Sequence, residues 1–420
     1  MQIEVLGSGH EVGKSAILVD DEKTRIMLDF GVKLQPEPPK YPKIKRADAI
    51  ILSHAHLDHS GALPLLYKKW KQRPNRSIPC FMTDITFDLT NLLLNDSMKV
   101  SKIQGYGTPY DKGDFGRMIK NTKLVNYNKI FRIGSFYCSL FDSGHIPGSA
   151  GILLDNNKKI FYTGDIQTID SHLLRGCQLP DKVDVLITES TYSYKDHLRR
   201  EKEEEKFLKS IEETLAKEEI ALIPVFAVGR AQEILLILEK YAGKIALDGM
   251  AKKASDLISY NSHYLRNPKK LKYILKKVHW IRTKKERTKA LKNCSIIVSS
   301  AGMLGGGPAV NYLRGIKGKA ESRVLFTGFL VEDSPGWKLI KTKIFENAEE
   351  RFDVHCELQQ FELSAHTDKT GLFDIIKRTK PEKVICVHGE SRHCENFANE
   401  IKEKLNINAF APKNGEAINL

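Results

Sequence analysis

Residues 54–59 read His-Ala-His-Leu-Asp-His, and they directly follow the apolar run AIILS at residues 49–53, which predicts a buried strand. His54 and His56 are two positions apart, so in an extended segment their side chains point to the same side. Asp58 and His59 lie past a turn and can face a second ion. Imidazoles and a carboxylate packed this densely are donors typical of zinc. The chain is therefore expected to fold so that a strand ends at a metal site.

Two further polar residues follow predicted strands later in the chain. His145 comes after the run YCSLFD, and Asp165 ends the run FYTGD. A carboxylate in such a position can bridge two cations ~3.5–4 Å apart, the spacing found in two-metal hydrolases. Either residue alone would be read as an ordinary loop residue. In this order after residues 54–59, both are predicted to bind metal.

The sequence pattern divides the chain into three stretches. Up to residue 194 short β-rich runs alternate with turns, and the proline-rich segment 35–42 is predicted to be irregular surface chain. Over residues 195–350 strands alternate with helices, which is typical of βαβ units and a parallel sheet. The β-rich pattern returns over residues 351–420. We therefore expect residues 195–350 to form a second α/β domain, inserted between the two parts of the first.

Composition and charge indicate which binding partners and which cellular location to expect. The formal net charge of +14 favours polyanions such as nucleic acid. The seven cysteines are scattered without a CxxC pair, which argues against a disulfide framework and against a thiolate zinc site. No run approaches the ~20 apolar residues that cross a bilayer, and the first residues lack a secretory pattern. Together these features predict a cytoplasmic protein with no membrane partner.

The motif order resembles a known superfamily. HxHxDH at residues 54–59, followed by His145 and Asp165 and preceded by Asp29 in MLDFG, resembles the signature of the metallo-β-lactamase superfamily. This resemblance implies an α/β fold of the αββα sandwich type, with the metal ligands on one edge.

Later motifs narrow the resemblance to the β-CASP branch, which inserts an α/β domain with a parallel sheet. They are Glu189 in ITEST, His366 in LSAHTD and His388 in CVHGE. The stretches LGSGHEVGKSAILVD, PVFAVGRAQEIL and AGMLGGGPAVNYL are similar to the cleavage and polyadenylation specificity factor nucleases, including archaeal members. The resemblance covers essentially the whole chain, and we expect no N-terminal KH module of the kind that many archaeal members carry.

The resemblance also implies a role for each site residue. Seven side chains are expected to hold two zinc ions per chain: His54, His56 and His145 at the first ion, Asp58, His59 and His388 at the second, and Asp165 between them. Asp58 is also expected to take part in catalysis. Asp29 would orient the ligand loop. His366 would donate a proton to the leaving oxygen, and Glu189 would keep it oriented and protonated.

The expected reaction is hydrolysis of RNA phosphodiester bonds in RNA 3′-end processing or decay. Two zinc ions would make hydroxide available near neutral pH for in-line attack on phosphorus. An inserted domain over the metal edge would admit only a thin strand, which favours single-stranded RNA. The resemblance implies that the substrate is RNA rather than DNA, and His388 is the residue on which this distinction rests. Candidate phosphate contacts are Gly305, Gly306, Gly307 and Ser364. A homodimer is a further expectation, because close relatives often dimerise.

Several alternatives stay open at the level of sequence. Endonuclease action and 5′→3′ exonuclease action of the RNase J type share this chemistry. The family also contains RNA-binding subunits with little activity, although these are expected to lose ligands that this chain keeps. A thiolester or lactam hydrolase would act on small molecules and ignore RNA.

Overall fold

The computed structural model describes residues 1–35, 37–68 and 78–420, so Pro36 of the predicted irregular segment lies outside the described residues. The chain forms two compact units. The first comprises Met1–Asp170, Gly176–Asp196 and His366–Leu420, and the second comprises Ser171–Arg175 and His197–Ala365. The domain limits expected at residues 194 and 350 stay predictions.

The strands, in chain order, are β1 (Gln2–Gly7), β2 (Ala16–Asp20), β3 (Arg25–Leu28), β4 (Ala49–Ile51), β5 (Cys80–Met82), β6 (Thr122–Leu124), β7 (Phe131–Ile133), β8 (Phe136–Asp142), β9 (Ala150–Asp155), β10 (Lys159–Tyr162), β11 (Val185–Glu189), β12 (Ala221–Pro224), β13 (Ile245–Asp248), β14 (His279–Trp280), β15 (Ile296–Ser299), β16 (Arg323–Phe326), β17 (Ile344–Glu346), β18 (Arg351–Asp353), β19 (Glu357–Gln360), β20 (Lys383–Val387), β21 (Asn408–Phe410) and β22 (Ala417–Asn419).

The α-helices, in chain order, are α1 (Leu57–Ser60), α2 (Leu63–Lys68), α3 (Asp84–Ile103), α4 (Lys112–Asn121), α5 (Arg200–Ala216), α6 (Arg230–Ile237), α7 (Met250–Tyr260), α8 (Pro268–Lys277), α9 (Lys284–Asn293), α10 (Gly307–Ile316), α11 (Pro335–Thr342), α12 (Lys369–Thr379) and α13 (Ser391–Leu405). Short 3-10 helices span Glu239–Lys244 and Ser262–Tyr264. Within the described residues, no helix combines the length and the apolar character that crossing a bilayer requires.

The first unit is built on two sheets that pack face to face. Their strand orders are β22-β1-β2-β3-β4-β5-β6 and β21-β20-β11-β10-β9-β8-β7. One core cluster joins the facing sides of both sheets. A second cluster joins the first sheet to helices α2, α3 and α4, and a third joins the second sheet to α12 and α13. These layers confirm the predicted αββα sandwich.

The side chains of β2 face the two sides of its sheet in turn, and this explains why the sheet lies inside the sandwich. Ile17 and Val19 face the other sheet, whereas Ala16 and Leu18 face the helices. Successive strand residues point to opposite faces, so a strand that is apolar at every position can bury both sides. The run AILV therefore suits a sheet that is covered on both faces.

Helices α3 and α4 lie in the region where sequence predicted only β-rich runs and turns. Thr83 caps α3 by accepting the backbone N–H of Thr86. Asp111 and Asp114 cap α4 reciprocally, each side chain accepting the other's backbone N–H. Such caps satisfy the N–H groups that the first turn of a helix leaves without partners. The prediction missed both helices because it rested on the apolar runs and turns of this stretch; these cap residues are the sequence signal that indicates the helices.

The second unit contains a sheet of order β14-β13-β15-β12-β16-β19. Every neighbouring pair in it is parallel, as predicted for the inserted α/β domain. Helix α5 lies before β12 and buries Phe207 and Ile211, four residues apart, on one face. A cluster that includes Leu222, Ile297 and Tyr312 forms the core of this unit.

Candidate metal centre

The ends of several strands of the second sheet converge on one edge of the first unit. Strands β10, β11 and β20 are parallel neighbours, so their carboxyl ends lie at the same edge. Asp165 follows β10, Glu189 ends β11 and His388 follows β20. Strand β8 reaches the same edge through two antiparallel pairings, and His145 follows it. The sheet topology therefore brings together residues that are distant in sequence.

The facing sheet supplies the 54–59 segment. Strands β3 and β4 are parallel, with Asp29 after the first and the segment after the second. Asp58 and His59 lie in the short helix α1, which follows a bend at Ala55 and His56. This change of direction is the turn that the sequence predicted before Asp58 and His59.

Close backbone packing holds the 54–59 segment in place. The N–H of Ser15 donates to Asp58 O at 2.7 Å, and the N–H of Phe30 donates to His59 O at 2.8 Å. A Cβ added to Gly31 would lie 1.7 Å from the carbonyl oxygen of Asp58. Only glycine therefore fits at position 31, because any side chain would push the ligand loop away.

A first group of donors consists of His54, His56, His145 and Asp165, whose candidate ligand atoms all lie within 4.8 Å of one another. Asp165 Oδ2 is 3.5 Å from His54 Nε2 and 3.7 Å from His145 Nε2. His145 Nε2 is 3.2 Å from His56 Nδ1. The imidazole nitrogens thus converge on one oxygen of Asp165.

A second group consists of Asp58, His59, Asp165 and His388, again with ligand atoms within 4.8 Å of one another. The other oxygen of Asp165, Oδ1, lies 3.2 Å from His59 Nε2 and 3.4 Å from His388 Nδ1. Asp58 Oδ2 is 3.3 Å from His388 Nε2. Asp165 therefore directs one carboxylate oxygen to each group.

Burial and protonation suit His54 and Asp165 to metal. His54 Nε2 is a buried nitrogen with no hydrogen-bond partner among the described residues. Burial and the neighbouring His59 hold the pKa of His54 well below its usual range, so its imidazole is neutral. Although burial opposes ionisation, His388 and His59 hold the pKa of Asp165 well below its usual range. At His59 the neighbouring carboxylates, Asp165 first among them, outweigh burial and raise the pKa well above its usual range, so a metal ion would have to displace a proton there. Neutral imidazoles and ionised carboxylates are the forms that bind divalent cations. The residues fit a divalent metal.

His366 and Glu189 form a pair beside these donors. His366 Nδ1 lies 2.8 Å from Glu189 Oε2, and His366 Nε2 lies 3.9 Å from Asp165 Oδ2. Burial alone would lower the pKa of His366, but the negative charges of Glu189 and Asp165 outweigh it and raise the pKa to about 9. The side chain of His366 keeps 19% exposure, whereas that of Glu189 keeps 1%. A protonated imidazole at this position can donate a proton at the edge of the site.

Asp29 anchors the ligand loop through residues that the sequence analysis missed. Its Oδ2 lies 2.7 Å from His59 Nδ1 and accepts the hydroxyls of Ser53 and Tyr162 at 2.7 and 2.8 Å. Its Oδ1 accepts the N–H of Ser53 at 2.6 Å. A carboxylate on the far nitrogen of a ligand histidine fixes the orientation and tautomer of the ring. Ser53 directly precedes His54, which is the one sequence signal for its role.

Thr191 is a third residue that the sequence analysis missed. Its hydroxyl oxygen lies 3.3 Å from His388 Nδ1 and donates to His388 O at 3.2 Å. His388 and Asp29 both have positive φ, at 52° and 57°, a region that non-glycine residues adopt rarely. Such conformations occur often at functional sites, where the surrounding contacts hold them in place.

The remaining predicted residues belong to the second unit. Gly306 is the N-cap of α10 and Gly307 is its first residue, and a Cβ added to Gly305 or Gly306 would meet no atom within 4 Å. Ser364 is buried with 7% exposure. Their expected contact with phosphate stays a prediction.

Family models match three parts of the chain. The model described as the Beta-Casp domain matches residues 231–339, and the one described as the Zn-dependent metallo-hydrolase RNA specificity domain matches residues 351–412. A model described as anti-Pycsar protein Apyc1 matches residues 1–209.

Full-length similarity agrees with these matches. The chain is 39% identical to probable RNase MJ4 of Methanocaldococcus jannaschii over 100% of both proteins. It is 30% identical to RNase aCSPSF2 of Saccharolobus solfataricus, over 100% of this chain and 85% of that protein. A crystal structure of a protein of unknown function from Enterococcus faecalis shares the fold, with a TM-score of 0.60 at 15% identity over 100% of this chain and 99% of that one. The chain therefore belongs to the β-CASP ribonuclease family of the metallo-β-lactamase superfamily, the family that its motifs predicted.

Proposed function

We propose that this chain is a metal-dependent ribonuclease that hydrolyses the phosphodiester backbone of RNA. The observation that carries the proposal is the position of Asp165, whose two oxygens face two separate groups of imidazole and carboxylate donors. Two adjacent cations are the arrangement that many phosphodiester hydrolases use. Relatives of similar length are named as RNases, which supports RNA as the substrate.

The proposed metal content is two zinc ions per chain. His54, His56 and His145 would hold one ion, Asp58, His59 and His388 the other, and Asp165 would bridge them. Zinc is favoured because these donors are mostly imidazoles with a few carboxylates, a borderline set that zinc accepts readily. When bound, the two ions would lower the pKa of a water molecule and offset negative charge on the phosphate oxygens.

The chain's own residues would handle the proton of the leaving group. His366 would donate from Nε2 to the departing ribose oxygen, since Nδ1 is engaged by Glu189. Glu189 would hold the ring in that orientation, because its other oxygen accepts the N–H of Ile166 at 2.7 Å and its position is thereby fixed. Asp58, 31% exposed at its side chain, would take part in catalysis as well as in binding the second ion.

The proposed substrate is single-stranded RNA, met in the cytoplasm. The formal net charge of +14 favours a polyanion, and a family model described as an RNA specificity domain matches residues 351–412. Gly305, Gly306, Gly307 and Ser364 remain candidate contacts to phosphate. We also retain the expected homodimer, with the β-CASP domain over residues 195–350 and the metallo-β-lactamase domain over residues 1–194 and 351–420.

One experiment tests the function and separates its forms. The purified protein is incubated with 5′-labelled RNA and with internally labelled RNA, and the products are sized. Endonuclease action yields internal fragments, whereas 5′→3′ exonuclease action releases the 5′ label as a mononucleotide. RNA that stays intact in the presence of two bound metal ions per chain would reject the proposed activity and leave an RNA-binding subunit.

A further inference from the structure

Aromatic rings lead away from the candidate metal centre along one short segment of the first unit. The ring of Tyr192 lies 6.3 Å from that of His366, and the ring of Tyr194 lies 6.2 Å from that of Tyr192. Tyr194 in turn stacks on His393, with centroids 4.0 Å apart and planes at 17°. The series runs from the partly exposed His366 past Tyr192, which is 5% exposed, to Tyr194 at the surface, which is 44% exposed.

The ring of Tyr194 is supported by neighbouring residues and is not packed into a core. His393 lies in the first turn of α13, and its carbonyl oxygen accepts the hydroxyl of Ser193 at 3.2 Å. That same hydroxyl donates to Ser190 O at 3.0 Å. The backbone around Tyr194 is therefore tied to the helix that supports its ring. A large exposed ring fixed in this way is more typical of a residue that binds a partner than of one that packs in a core.

A cation accompanies these rings. Lys195 Nζ lies 5.5 Å from the centroid of Tyr192 and 5.9 Å from that of Tyr194. Exposed aromatic rings beside a positive charge are the combination with which proteins bind single-stranded nucleic acid, the rings stacking on bases and the cation meeting the backbone.

We propose that Tyr194, supported by His393, stacks on a base of the bound RNA close to the bond that is cleaved, and that Lys195 contacts the adjoining phosphate. This inference rests on the proposed ribonuclease function, and it adds a base-binding position to it. Because every base presents a flat face, the position would accept any of the four bases.

The test measures RNA binding to the metal-loaded protein in a His366→Ala background, in which cleavage is slowed. The probe is a short fluorescent single-stranded RNA, used intact and as a series with one abasic site at each position. Tyr194→Ala is expected to weaken binding of the intact RNA roughly tenfold, and Tyr194→Phe is expected to bind like the parent. One abasic position should weaken binding to the parent and leave binding to Tyr194→Ala unchanged, because the stacking partner is already missing.

Tyr137→Ala is the matched control. Tyr137 is 56% exposed and lies near Arg132, but it is at the opposite end of β8 from His145. Equal binding of intact RNA by Tyr194→Ala and its parent, with unchanged thermal unfolding, would overturn the stacking proposal alone. So would an abasic series in which both proteins respond alike at every position. If the parent itself does not bind RNA, both the stacking proposal and the proposed ribonuclease function are rejected.

Discussion

Glu189 joins His366 to the backbone of the strand-end loop: one carboxylate oxygen lies 2.8 Å from His366 Nδ1, and the other accepts the N–H of Ile166. If His366 donates the proton, His366→Ala should slow cleavage by about 10²–10⁴-fold while bound metal stays the same. Single-turnover rates and metal content of the same preparations check this. An unchanged rate would remove His366 as the acid.

Glu189→Gln should also slow cleavage, because the neutral amide no longer favours the protonated ring. If Glu189 acts through His366, the double variant should be no slower than His366→Ala, since residues that act as a unit are not additive. Additive losses would show that Glu189 has an independent role.

Asp165→Ala removes the carboxylate that faces both donor groups. We expect metal content to fall well below two ions per chain and cleavage to disappear, while far-ultraviolet circular dichroism keeps its folded form. Asp155→Ala, at a partly exposed aspartate on β9, serves as the control. Full metal content in Asp165→Ala would contradict the bridging role.

Asp29→Asn leaves every predicted ligand in place but weakens the anchor of His59. Metal affinity should fall by about 10–100-fold, the usual cost of losing a carboxylate behind a ligand histidine. Competition with a chelator measures this affinity. Tyr162→Phe, which removes one hydroxyl from the same carboxylate, should have a much smaller effect. Equal metal affinity in Asp29→Asn and the parent would show that the anchor is dispensable.

Binding of single-stranded RNA should weaken steeply as salt increases. Each phosphate that a lysine or arginine neutralises releases counterions, so the logarithm of the binding constant falls linearly with that of the salt concentration. Lys195→Ala should reduce the slope by about one unit if its ammonium group meets a phosphate. A flat salt response in the parent would mean that the basic surface plays no part.

His172 predicts a pH-dependent contribution to the stability of the second unit. Its Nε2 lies 2.8 Å from Glu204 Oε2, and this hydrogen bond raises the pKa of His172 above its ordinary value of 6.5. A raised pKa means that the folded state binds the proton more tightly, so the contribution is complete below the ordinary value and is lost as pH rises through the folded value. The difference in unfolding free energy between parent and His172→Gln should therefore be largest below the ordinary value and should shrink as pH rises through the raised folded value. Denaturant titrations measure it, and a constant difference would contradict the assignment.

The fold class and the family could be predicted from sequence because each strong motif directly follows an apolar strand. The sequence also predicted Asp165 between the two donor groups, but it could not say which carboxylate oxygen faces which group, since sequence order does not fix the orientation of a side chain. Ser53 and Tyr162 were missed because a hydroxyl residue at the end of an apolar run looks like any strand residue until its partner, Asp29, is located.

Asp58 and His388 are 330 residues apart in sequence, yet their side chains approach to 3.3 Å. A ribosome makes the 54–59 segment long before it makes His388. Until His388 emerges from the ribosome, the second donor group lacks a member. A nascent chain of the proposed nuclease would therefore be unable to cut RNA before that point.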